Sequence, residues 1–156
     1  QAVWLESRLR RSDAPFRIVY MHQAAYCSRK NHASEAELQW PFKEWGASLV
    51  LAGHDHLYER LSISGLPYIV NGLGGRDRYD FDDALGGSEV RFNSRHGAML
   101  VEADREFAHM WFLTSDGSVH DDFVLPRGGV DPGSVELVAE NAPWRYLDTG
   151  VSPARR

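Results

Sequence analysis

Ser48-Leu49-Val50-Leu51-Ala52-Gly53-His54-Asp55-His56 is the stretch whose reading decides the fold. Its first five residues are mostly apolar and read as a short buried strand. Gly53 ends the run, and two imidazoles follow at alternate positions. Residues two apart in an extended chain project the same way. Neutral imidazole is the commonest metal-donating side chain. The stretch therefore predicts a metal site at the carboxyl end of a strand.

Upstream, Phe16-Arg17-Ile18-Val19-Tyr20-Met21 is β-branched, aromatic and short, and runs straight into His22. Between the two strands, Ser34 with Glu37 three residues on matches a capping box. A helix is expected from there through Leu38, Trp40, Phe42 and Trp45, limited or kinked by Pro41 and ended by Gly46. Strand, crossover helix and strand imply a parallel pair with a right-handed connection. Histidine then stands at the carboxyl end of both strands, the edge where open α/β sheets collect their sites. Before this unit, residues 2–11 read as a helix with Val3, Leu5 and Leu9 toward one face and arginines at its end. Ser12-Asp13-Ala14-Pro15 stops it.

Downstream the character changes. Leu61-Ser62-Ile63-Ser64, Gly65-Leu66-Pro67 and Tyr68-Ile69-Val70-Asn71 read as a hairpin. Residues 72–93 are rich in glycine and aspartate and read as one long irregular loop, a length that is usually functional. Residues 97–102, 107–113 and 119–125 read as antiparallel strands, with a turn at Ser115-Asp116-Gly117. The first half is α/β and the second mostly β. Residues 126–156 read as a linker followed by the opening of a further module, with a short strand at Val135–Val138 and the large aromatics Trp144 and Tyr146.

The chain has 156 residues, 43% of them hydrophobic, which suits one domain with a real core. Net charge is −5 and the 17 basic residues are scattered, so a broad electrostatic grip on nucleic acid is not expected. No apolar stretch approaches the roughly 20 residues that a membrane helix needs. The single cysteine, Cys27, excludes an internal disulfide framework. Gln1 is not an initiator methionine, so the expectation is a chain cut from something longer or processed.

His22, His54 and His56 each read alone as an ordinary loop histidine; together, on neighbouring strand ends, they read as a site. With these residues in place the chain resembles the calcineurin-like metallophosphoesterases, and within them the purple-acid-phosphatase-like branch. Gly-His-Asp-His-Leu-Tyr-Glu-Arg at 53–60 carries most of the resemblance. It is similar to the family's terminal Gly-His-x-His motif with the Tyr-Glu-Arg extension of that branch. An apolar strand leading into His22 and the Tyr26 loop resembles the preceding histidine motif. Asn71-Gly72-Leu73-Gly74-Gly75 and Gly87-Ser88-Glu89-Val90-Arg91 resemble bacterial members.

The resemblance covers about residues 1–125 and implies part of a four-layer α/β/β/α sandwich. It implies two divalent or trivalent metal ions (iron, zinc or manganese), with His22 and His54 on one and His56 on the other. Two cations about 3.5–4 Å apart clamp a phosphoryl oxygen, generate hydroxide at neutral pH and stabilise in-line displacement. The activity implied is hydrolysis of a phosphate monoester, with a diesterase or nucleotidase of the same fold as the alternative. The resemblance also implies export of the parent enzyme, secreted or periplasmic.

His32 falls where this branch carries a substrate-facing histidine that bonds the phosphate or protonates the leaving alkoxide. It reads equally as an exposed histidine before an N-cap. Tyr58 and Glu59 are read either as orienting a ligating imidazole or as strand residues pairing locally. Asn71 joins them as a residue near ligand or substrate. Asp55 is structural or supports the ligands. Cys27 lacks a partner acid and is not read as a nucleophile. His96, His109 and His120 read as ordinary strand histidines, and Asp80, Asp82 and Asp83 as a solvated loop.

The sequence departs from the family in one large respect. Asp-x-His, Gly-Asp-x-x-Asp and Gly-Asn-His-Glu motifs do not occur in residues 1–156. The resemblance places them in an amino-terminal half of the domain, here the expected partner of this chain. Without that half, one apolar sheet face should stand open, metal affinity should be poor, and the chain is read as incomplete for activity or as a non-catalytic fragment. In a smaller departure, Gln23-Ala24-Ala25 stands where relatives often have His-Pro-Pro.

Overall fold

The computed structural model describes residues 1–31 and 34–129. In chain order the elements are α1 (Ala2–Arg11), β1 (Ile18–Met21), β2 (Leu49–Ala52), β3 (Tyr58–Ile63), β4 (Leu66–Asn71), β5 (Ser88–Phe92), β6 (Gly97–Ala103), β7 (Phe107–Thr114) and β8 (Val119–Pro126). Single 3-10 turns occur at Ala36–Leu38 and Arg127–Gly129. A five-stranded sheet runs in the order β1-β2-β4-β3-β5, and a three-stranded sheet in the order β6-β7-β8. β1, β2 and β4 are mutually parallel; β3 and β5 join antiparallel. This is the mixed α/β architecture expected from the sequence. No helix among the described residues is long and apolar enough to cross a membrane.

Alternation along the strands explains the layering. Val50, Leu61 and Tyr68 bury on one face with Leu9 of α1, Phe42 and Trp45. Leu49, Tyr58 and Ile69 bury on the other with Ala108, Met110 and Phe112 of β7. Neighbours in sequence thus serve opposite cores, as period-2 geometry requires. Helix, sheet and second sheet stack in three layers, a part of the expected sandwich.

The face shared with β7 is open at one place. Ile18 pairs with Leu49 and Tyr20 with Leu51, so they lie on the same face. Yet Tyr20 is 84% exposed, because β1 is an edge strand that the second sheet does not cover.

Four expectations are corrected. The helix from Ser34 to Trp45 is absent: one 3-10 turn and tight turns at Trp40–Ala47 replace it. Ser34 does not cap a helix, since its hydroxyl accepts the Cys27 N–H at 3.1 Å. Trp40, Phe42 and Trp45 pack on one another with centroids 5.7–6.0 Å apart. With Pro41 unable to continue a helix, that aromatic cluster satisfies the segment instead. The parallel β1–β2 pair survives without its crossover helix.

The second correction is β5, which lies inside the stretch read as irregular loop. Gly87 makes it possible: at φ +89 a Cβ there would lie 2.3 Å from the Ser62 carbonyl oxygen. Third, Val3 is 81% exposed, and only Leu9 of α1 is fully buried. Last, the final strand reaches Pro126, one residue beyond the strand expected over 119–125. Val135–Val138, Trp144 and Tyr146 lie outside the described residues.

Candidate functional site

β1 and β2 end side by side, with Met21 opposite Ala52. The Gly53 N–H continues the ladder by donating to the His22 carbonyl at 3.0 Å. Beyond it the chain leaves the strand in two tight steps: Asp55 N–H to Gly53 O at 2.6 Å, then Leu57 N–H to Asp55 O at 2.8 Å. His54 is in the left-handed region at φ +60. That conformation costs an L-residue roughly 1–2 kcal/mol, and such strain collects at functional sites. Gly72, just after β4, holds the loop from behind, since a Cβ there would lie 2.1 Å from the Asp55 carbonyl oxygen.

These turns bring two imidazoles together. His54 Nδ1 lies 3.1 Å from His22 Nε2, with ring centroids 5.0 Å apart and planes at 81°. Two ring nitrogens so close repel unless a proton or a cation lies between them. Nitrogen ligands bind zinc at about 2.0–2.1 Å, so a pair on one ion stands about 2.9–3.4 Å apart. The spacing fits two ligands on a single cation.

His56 does not project alongside His54, because the turns break the alternation of an extended chain. Its Nδ1 faces the Asp77 carbonyl at 2.7 Å. A carbonyl only accepts, so Nδ1 carries the proton and the neutral ring keeps its lone pair on Nε2. The His56 ring stacks on Tyr79, with centroids 4.2 Å apart and planes at 17°. Among the described residues, no three His, Cys, Asp or Glu side chains converge as a metal site.

Asp55 is buried and paired with Arg29 Nη1 at 3.0 Å, which supports its reading as structural. Asn71 ends β4, opposite Tyr58. Its Oδ1 is buried and has no hydrogen-bond partner among the described residues. A buried acceptor in that state is the kind of atom a ligand or a water satisfies.

Tyr58 and Glu59 are directed away from the imidazoles. Tyr58 stacks on Phe112 at 4.0 Å and donates its hydroxyl proton to Asp121 Oδ2 at 2.7 Å. Burial, and then the Asp121 carboxylate, push its phenol far above the ordinary range. Arg60 forks onto the same carboxylate at 2.7 and 3.1 Å and also pairs with Glu89. Glu59 is fully buried and accepts from Ser28 N–H, Ser28 Oγ and Ser88 Oγ, each at 2.6 Å. The Tyr-Glu-Arg extension therefore ties the site's strands to the second sheet and to the loop after β1.

Burial raises the Cys27 thiol well above its usual range, and Asp55 and Glu59 raise it further. It stays protonated at neutral pH, in line with its exclusion as a nucleophile. His96 faces the Arg76 carbonyl, His109 pairs with Asp122, and His120 lies on Phe92, all away from the His22–His54 pair. His32 lies outside the described residues. Sequence reasoning missed Arg29, Asp77 and Tyr79. Each sits in a loop without a motif: Arg29 follows β1 with no signal of its own, and only the length of the 72–93 segment signalled Asp77 and Tyr79.

No family model matches the chain. Over an alignment of 84 residues, 47% of the chain, it is 39% identical to the Fe(3+)-Zn(2+) purple acid phosphatase 12 of Arabidopsis thaliana. It is equally similar to a purple acid phosphatase of Glycine max. The match takes in 18% of the length of each plant protein. Among solved structures, the purple acid phosphatase PPD1 from yellow lupin (Lupinus luteus) seeds superposes with a TM-score of 0.70 at 19% identity, covering 88% of this chain and 32% of that one. Plasmodium GAP50, described as the anchor in the inner membrane complex, gives 0.69 at 19% identity over 81% of this chain and 41% of its own. These two establish the fold, which serves a phosphatase in one and an anchor in the other, so function has to be argued from the site. The chain is similar to part of a purple-acid-phosphatase-like metallophosphoesterase, as its sequence motifs imply.

Proposed function

We propose that the parent protein hydrolyses phosphate esters with the help of metal ions held at the ends of β1 and β2. One observation carries the reading: His22 Nε2 and His54 Nδ1 stand 3.1 Å apart on adjacent strand ends, a spacing suited to one cation. His56, with Nε2 as its donor atom, serves the second ion. When bound, such ions supply Lewis acidity and positive charge against the phosphoryl oxygens. Iron, zinc and manganese suit imidazole with oxygen donors.

The chain's own contribution is orientation. The left-handed turn at His54 aims its ring at His22, and the Asp77 carbonyl holds the proton of His56 on Nδ1. His32 donates a hydrogen bond or a proton to the substrate. Two imidazoles are too few ligands for one ion, so the remaining donors come from the rest of the domain, the proposed partner of this segment. The substrate is a phosphate monoester, and the enzyme acts outside the cytoplasm, secreted or periplasmic.

The test uses the full-length protein loaded with zinc, iron or manganese and a chromogenic aryl phosphate. Turnover is expected in the wild type and is expected to vanish in His54→Ala and His22→Ala. Undiminished turnover in either variant refutes the assignment.

A further inference from the structure

The contacts around His56 form a closed circuit that the sequence does not announce. The Tyr79 N–H donates to the His56 carbonyl at 2.9 Å, and the Tyr79 ring lies on the imidazole at 4.2 Å. The Arg29 guanidinium carbon stands 3.8 Å from the centre of the same ring. Two planar groups cannot share one face at those distances, so Tyr79 lies between His56 and Arg29. Arg29 then pairs at 3.0 Å with buried Asp55, the residue before His56.

The surrounding backbone is tied in the same sense. Arg29 and Phe81 form an antiparallel bridge, and Lys30 N–H donates to Asp80 O at 2.9 Å. The Asn93 side-chain amide donates to the Tyr79 carbonyl at 2.9 Å. Tyr79 is thus fixed by groups from three segments, and the imidazole it covers is held at Nδ1 by the Asp77 carbonyl.

We propose that Tyr79 is the positioning residue of His56. Its ring fixes the plane of the imidazole and so keeps Nδ1 on the Asp77 carbonyl and the lone pair on Nε2. What that lone pair serves rests on the reading of His56 as a metal ligand; the placement of the ring does not. The required element is an aromatic plane clamped by Arg29, not a hydroxyl, since the Tyr79 contacts are made by its ring and backbone.

The experiment uses full-length protein with 15N-labelled histidine, freed of metal, at a pH of about 8. Long-range proton–nitrogen spectra report the tautomer of each imidazole, with His56 assigned through His56→Gln. Wild type and Tyr79→Phe are expected to show His56 as a single tautomer protonated at Nδ1. Tyr79→Leu is expected to show a mixture, while the His96 and His120 signals stay in place as a check on the fold. Should Tyr79→Leu unfold, Tyr79→Met fills a similar volume without a plane and carries the same expectation. A single Nδ1–H tautomer in the Leu or Met variant overturns the proposal, and so does loss of that tautomer in Tyr79→Phe.

Zinc affinity, measured by competition with a chromophoric chelator, gives a second readout. Tyr79→Leu should weaken it about tenfold, the low end of what partners of a ligating histidine contribute, and Tyr79→Phe less than about twofold. Should the wild type bind no zinc, the proposed function fails, while the tautomer spectra still decide the role of Tyr79.

Discussion

Replacing Glu59 with glutamine tests how the site is anchored. Glu59 is fully buried and its two oxygens accept three hydrogen bonds, each at 2.6 Å. A carboxylate only accepts, which suits three donors. A glutamine at the same place has one oxygen and one amide. If its oxygen serves the Ser28 and Ser88 hydroxyls, its amide confronts the Ser28 N–H, two donors face to face. An unsatisfied buried N–H costs about 1–3 kcal/mol. The two surviving bonds also lose their charge assistance, which makes up roughly half their strength. Together these give a loss of about 2–4 kcal/mol for Glu59→Gln, as large as single substitutions commonly reach. Release of Ser28 also loosens the loops on either side: its carbonyl accepts Asp82 N–H and its hydroxyl accepts Leu85 N–H, each at 2.9 Å. The assay is denaturant unfolding of the full-length protein and the variant, compared at constant m, with exposed Glu37→Gln as the surface control. A Glu59→Gln change within about 0.5 kcal/mol, the range of an ordinary surface substitution, refutes this account of Glu59.

Two further outcomes are expected. Gly72→Ala places a carbon 2.1 Å from the Asp55 carbonyl oxygen, where no flexible side chain is available to move. A stability loss of about 1–3 kcal/mol follows from overpacking of this kind, together with weaker zinc binding as the His54–His56 loop shifts; wild-type stability and affinity in the variant would contradict the close approach. The Tyr68 phenol is pushed up to about 12, first by burial and then by Tyr26 and Glu44, against about 10 in an unfolded chain. Between those values the folded protein keeps a proton that the unfolded chain has released, so this group's contribution is full below a pH of about 10 and declines as the pH rises toward about 12. Thermal melts across that range should fall less steeply in Tyr68→Phe than in the wild type; equal slopes would rule Tyr68 out as a source of the decline.

The strands were legible because each carries a pattern with one physical cause. Ser48–Ala52 is apolar because both faces of β2 are covered, Val50 by the α1 side and Leu49 by the β7 side. Phe107–Thr114 is aromatic and apolar along its length because one face of β7 is buried and the other half-buried, in strict turn. Where two causes compete, the pattern misleads. Ser34, Glu37, Leu38 and Trp45 spell an amphipathic helix, yet Pro41 blocks its continuation and Ser34 spends its hydroxyl on Cys27. The aromatics then bury through mutual edge contacts, which leave no period in the sequence. β5 failed for the opposite reason. Five residues preceded by two glycines on a half-exposed edge give too few alternations to stand out from a loop.

The histidines of the site were legible from residue type, while their arrangement was not. Alternation predicts that His54 and His56 point together, but it holds only for extended backbone, and His54 sits at φ +60. That one dihedral turns His54 toward His22 and leaves His56 to the Asp77 carbonyl and the Tyr79 ring. No local propensity encodes the dihedral. It is imposed by the approach of Gly72 from the next parallel strand and by the buried Asp55–Arg29 pair, both distant in sequence. The motif thus names its ligands locally, but nonlocal contacts decide which nitrogen of each ring is offered and in which direction. The segment between residues 72 and 93, which looked least structured, supplies those contacts for His56. A site of this kind is specified jointly by a short, readable motif and by a long loop whose signal is only its length.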